Sequence, residues 1–146
     1  MRTFSPFLIT YLHIALAHLY LAEQNPSEAL STARIALELA DRSGFQLERG
    51  AVQRVLAQAY DACGSRAEAE SAFRASLDIL EDIQSRPELG QTLLAYGRFK
   101  SSDDVGGRDL TERALRIFED IEATGWISEA RIALGQARSG HDGIRP

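Results

Sequence analysis

The chain has 146 residues, of which 45% are hydrophobic, and 16 basic residues stand against 21 acidic ones for a net charge of −5. That length supports one ordinary domain or a short repeat array with a sizeable core. The acidic balance excludes a general phosphate-backbone binder, a single cysteine excludes an internal disulfide, and the low Pro and Gly content excludes a disordered or collagen-like chain.

In chain order, the first predicted element is a helix over 6–23. Its apolar run, Phe7 to Ala22, follows Met1-Arg2 and contains Ala15-Leu16-Ala17, so it superficially resembles an export signal. His13 and His18 interrupt the run, and it falls short of the roughly 20 apolar residues that span a bilayer. Leu16, Ala17 and Tyr20 also recur later in the chain, which marks the segment as part of the fold. The expectation is a cytoplasmic protein with no membrane partner. Further helices are predicted over 27–42, 46–63, 66–84, 88–101, 107–123 and 126–139, with residues 140–146 as a flexible tail. The breaks fall at Asn25-Pro26-Ser27, Ser43-Gly44, Gly64-Ser65, Ser85-Arg86-Pro87, Asp103 to Gly107 and Thr124-Gly125, where Gly suits a helix end and Pro a first turn. No stretch sustains period-two alternation, so the predicted class is all-α.

These helices repeat. Ala33-Arg-Ile-Ala-Leu-Glu-Leu-Ala40 aligns with Phe73-Arg-Ala-Ser-Leu-Asp-Ile-Leu80 and with Thr111-Glu-Arg-Ala-Leu-Arg-Ile-Phe118, at a period of about 40 residues. Ahead of each block lies a large residue followed by a small one: Leu16-Ala17, Leu56-Ala57, Tyr96-Gly97 and finally Leu134-Gly135. The small member lets two helices of a hairpin approach closely, with Ala29 and Ala69 as small partners on the second helix. No hairpin could bury its apolar face alone, so stacking must supply the core.

Leu16-Ala17-x-x-Tyr20 followed by Ala29, and Leu56-Ala57-x-x-Tyr60 followed by Ala69 and Phe73, resemble the tetratricopeptide repeat family over about residues 8–138. The third unit departs from the pattern, with Lys100 in place of Tyr and Gly107 in place of Ala. The period exceeds the family's usual 34 residues and resembles the longer-repeat variety in C-terminal helical regions of bacterial signalling ATPases and transcriptional regulators. The resemblance implies a right-handed α-solenoid of about three hairpins plus a capping helix, spanning 1–139. It implies a non-catalytic module that binds a protein or peptide in signalling or regulation. The alternative is a regulatory fragment of a larger ATPase or regulator whose activity lies elsewhere. The family's groove positions carry over to Tyr11, Ile14 and His18; Arg54, Gln58 and Asp61; Gln91, Leu94 and Arg98; and Glu129, Ile132 and Gln136. Arg54 and Arg98 there suit a carboxylate or an acidic peptide.

Catalytic and metal chemistry finds little footing, and neither a cofactor nor a metal is expected. His13 and His18 are about 140° apart around a helix and share no face for a metal. Cys63 has no base in view and reads as a small buried residue closing a helix. Asp103-Asp104 with Gly106-Gly107 lacks calcium-loop and P-loop spacing and reads as a capped turn. Asp78, Glu81, Asp82, Glu119, Asp120 and Glu122 read as solvated acids on outer faces. The remaining feature is the first helix, apolar on nearly every side through Phe4, Phe7, Leu8, Leu12, Leu16 and Leu19. Such a helix expects a cover: upstream repeats of a longer parent, or a second copy meeting it at Phe4, Phe7 and Leu8.

Overall fold

The computed structural model describes residues 5–100 and 104–142, with side chains as far as 135. Seven helices account for nearly all of it: α1 (Pro6–Ala22), α2 (Pro26–Ser43), α3 (Gln46–Ala62), α4 (Arg66–Asp82), α5 (Arg86–Lys100), α6 (Val105–Asp120) and α7 (Thr124–Asp142). No strand occurs among the described residues, and the fold is all-helical. Each expected helix is present, with ends displaced by no more than a few residues. Contacts divide the chain into two compact units, Met1–Ser85 with α1–α4 and Arg86–Pro146 with α5–α7. In the first, α1 packs on α2, α2 on α3 and α3 on α4, and α1 also packs on α3; in the second, α5 packs on α6 and α7, and α6 on α7.

Local chemistry explains the punctuation. Pro6 and Pro26 open α1 and α2, where a missing N–H costs nothing. Asp104 caps α6, its carboxylate accepting the Gly106 N–H at 3.3 Å. Four helix ends share one turn. The amides of Asn25, Ser65, Ser85 and Ala123 donate back to the carbonyls of Tyr20, Tyr60, Leu80 and Phe118, and the residue before each donates to the next carbonyl. That double closure requires a left-handed residue. Gly64 supplies it without strain at φ 82°, whereas Gln24, Gln84 and Glu122 adopt it as side-chain-bearing residues at 59°, 54° and 58°. Their composition gave no hint of this, because Gln and Glu read as helix formers.

The hairpins close on small residues. A Cβ on Gly97 of α5 would run into Thr111 Oγ1 and lie 2.9 Å from the Gly107 carbonyl oxygen of α6. The corresponding Ala17, Ala29, Ala57 and Ala69 are fully buried. The second and third hairpins each have a second crossing point built on glycine. A Cβ on Gly50 of α3 would stand 2.5 Å from Leu80 Cδ2 of α4, and one on Gly90 of α5 would stand 2.6 Å from Phe118 Cε1 of α6. Leu80 and Phe118 therefore enter sockets that exist because Gly50 and Gly90 lack side chains, and both are fully buried. The Ser76 hydroxyl donates to the Gly50 carbonyl at 2.7 Å and ties the same crossing. In the first hairpin the equivalent positions hold Thr10 and Ala40, both fully buried. The larger member of the pair is there on the first helix of the hairpin instead of the second.

Candidate functional site

In the first unit, Tyr11 and His18 are exposed on α1 and Ile14 is buried. Arg54 does not line an open surface: only 6% of it is exposed. Its place on α3 is enclosed because α3 packs against α1, α2 and α4. Gln58 is half-buried, and its Oε1 is a buried oxygen without a hydrogen-bond donor among the described residues. Asp61 pairs with Arg66 at 3.3 Å. In the second unit, Gln91 is half-buried and Leu94 buried. Arg98 and Glu129 are brought together in an exposed ion pair of 2.8 Å, and Ile132 is exposed. The side chain of Gln136 lies outside the described residues, as does Phe4. Of the two arginines expected to receive a carboxylate, one is buried and the other is shared with Glu129.

The half-buried His13 donates Nδ1–H to the Ile9 carbonyl at 2.8 Å within its own helix, and His18 is exposed. Cys63 is exposed, contrary to the expectation that it is buried, because it forms the C-cap of α3, beyond the buried stripe that ends at Ala59. The acidic residues Asp78, Glu81, Asp82, Glu119, Asp120 and Glu122 are all exposed. Among the described residues no three His, Cys, Asp or Glu side chains cluster as a metal site, and no helix is long and apolar enough to cross a membrane.

The largest departure from an ordinary surface is α1. Phe7, Leu8, Tyr11, Leu12, Leu16 and Leu19 are 38–58% exposed on a single helix, which carries no charged residue between Pro6 and Ala22. Only Thr10, Ile14 and Ala17 are buried. Leu8, Leu12, Ala15, Leu19 and Ala22 follow one another at spacings of four and three, a straight seam along the helix. Phe7 touches Phe45 edge-on, ring centroids 5.9 Å apart. The seam has a counterpart one repeat later on α3: Glu48, Val52, Val55 and Ala59, all buried, on the side opposite the one Leu80 meets at Gly50. The same register is thus covered on α3 and open on α1.

No family model and no curated protein matches this sequence. A fold neighbour exists. The crystal structure of BtubC (BKLC) from P. vanneervenii aligns over the whole of this chain and 69% of its own, with a TM-score of 0.68 at 18% identity. At that identity the likeness is one of fold alone.

The second unit carries a cleft between α6 and α7. It is an open cleft of about 560 Å³ lined by Arg108, Glu112, Leu115 and Arg116 of α6 and by Arg131, Leu134 and Gly135 of α7. A smaller cleft of about 290 Å³ in the first unit is lined by Leu37, Gln53, Leu56 and Tyr60 and, from α4, by Glu68, Ser71, Ala72 and Ala75.

Proposed function

We propose that this chain is a tetratricopeptide-like α-solenoid of three hairpins and a terminal helix, a non-catalytic protein-interaction module working in bacterial signalling or regulation in the cytoplasm. The recurrence of one hairpin geometry supports the repeat reading: Gly50 under Leu80, Gly90 under Phe118, and one turn type at residues 24, 64, 84 and 122. The observation that carries the interaction is the uncovered seam of α1. Its occupant is a second copy of the chain. Six large apolar side chains at 38–58% exposure lie on each copy, and a pair that covered them would approach the roughly 1,000 Å² at which specific interfaces begin. The seam is also self-complementary. About a two-fold axis at Ala15, Leu12 meets Leu19 of the partner subunit and Leu8 meets Ala22 of the partner subunit, with no charge to desolvate.

Light scattering behind size exclusion, over a hundredfold range of concentration, tests the pairing. The native chain is expected as a dimer, and Leu12→Glu with Leu19→Glu as a monomer of unchanged helical circular dichroism. A native chain that stays monomeric at every concentration refutes it, as does a dimer that survives both substitutions. A second reading, a regulatory segment of a larger ATPase or transcription regulator, draws on the covered counterpart of the seam on α3, since a preceding hairpin would cover α1 in the same way. A monomer that binds a hydrophobic dye through α1 is its signature.

A further inference from the structure

Three of the four large–small pairs mark the place where the first helix of a hairpin crosses the second. Gly97 shows this directly, through Gly107 and Thr111. Gly135 is the fourth member, one repeat later on α7, and a Cβ built there would meet nothing within 4 Å. Among the described residues nothing closes this crossing point, which lies beside the 560 Å³ cleft that Gly135 helps to line. The cleft of the first unit shows what fills such a place. Leu37, Gln53 and Leu56 precede Leu115, Arg131 and Leu134 by the same register, and the space over them is walled on the far side by α4. No helix of the second unit holds the corresponding place against α7, whose described neighbours are α5 and α6.

The charge of the two clefts differs. Where the first unit has the neutral Gln53, the second has Arg131, with Arg108 and Arg116 across the cleft. Arg108 pairs with Glu112 at 3.2 Å and Arg131 with Glu119 at 3.4 Å, both exposed pairs that a competing carboxylate can displace at little cost. Three guanidinium groups stand against Glu112 and Glu119, which pair with two of them, and leave a net basic spot on a chain of net charge −5. We infer that the α6–α7 cleft receives an acidic amphipathic helix of a partner protein, laid across Gly135 as α4 lies across α3, with small residues against Leu115 and Leu134 and carboxylates against Arg108, Arg116 and Arg131. This is helix-in-groove recognition, the apolar contacts supplying register and the charge-assisted bonds supplying selectivity.

The inference rests on the repeat reading but not on the pairing of α1, and the experiment separates the two. Two fluorescein-labelled peptides serve as probes: residues 66–82, the sequence of α4, and the same peptide with Ser71→Glu and Ala75→Glu. Anisotropy is followed against the full chain. The acidic peptide is expected to bind saturably and at least tenfold more tightly than the unmodified one. Gly135→Leu, which fills the crossing, and Arg116→Glu with Arg131→Glu, which reverses the charge, are each expected to weaken binding at least tenfold. Gly135 is exposed, so Gly135→Leu leaves the melting temperature in place and its effect reads the cleft. Absence of saturable binding overturns the inference. So does binding that Gly135→Leu leaves unaltered, or that a polyglutamate of equal charge matches, since charge alone would then account for it.

Discussion

The exchange of large and small residues between hairpins makes a quantitative claim about Gly50 and Leu80. Leu80→Ala empties a fully buried site and is expected to cost about 2–5 kcal/mol, a transfer loss plus the cavity left behind. Gly50→Thr places a Cβ 2.5 Å from Leu80 Cδ2 and 2.6 Å from Cγ. That is about 1 Å inside ordinary carbon contact, which lies near 3.5–4.0 Å. Leu80 has no solvent to retreat into, so overpacking costs about 1–3 kcal/mol, and the small gain in helix propensity over glycine does not offset it. The double variant recreates the Thr10 and Ala40 of the first hairpin. The threonine then fills part of the space that leucine vacated, and the combined cost falls at least about 1 kcal/mol below the sum of the single costs. Urea unfolding followed by far-ultraviolet circular dichroism, on the native chain and the three variants, measures the cycle. Single costs that simply add, within about 0.5 kcal/mol, would refute the claim that these two positions share one socket.

Gln24→Gly, Gln84→Gly and Glu122→Gly remove a side chain from a left-handed residue, and each is expected to stabilise the chain by about 0.5–1 kcal/mol in thermal melts; unchanged or lowered melting would show that the turns are unstrained. Gly97→Ala should destabilise by about 1–3 kcal/mol even though alanine is the better helix former, because its Cβ meets Thr111 and the Gly107 backbone. A more stable Gly97→Ala variant would mean that α5 and α6 can move apart freely.

Helix number, approximate bounds and the all-helical class were legible in the chain because they depend on local chemistry: apolar periodicity, Pro at helix starts, and Gly or polar clusters at their ends. The small positions at Ala17, Ala57 and Gly97 were legible for a related reason, since a repeated pair at constant spacing needs a repeated packing role. Gly50 and Gly90 were not, because an isolated glycine within a helix reads as a weak point until the side chain across from it is known. The signal was present in the pairing of Gly50 with Leu80 and of Gly90 with Phe118 at nearly constant separation, but only contact gives that separation meaning.

The candidate site divides the same way. By itself the sequence determined that α1 is apolar on nearly every side, because composition around a helix is a local property. Only tertiary structure decided that the seam is open on α1 and covered at its counterpart on α3, that Arg54 is enclosed while Arg98 is held by Glu129, and that Gly135 lines a cleft together with three arginines. Burial and pairing depend on what other helices bring to a position, and in a repeat protein the same local pattern meets a different neighbour at each turn.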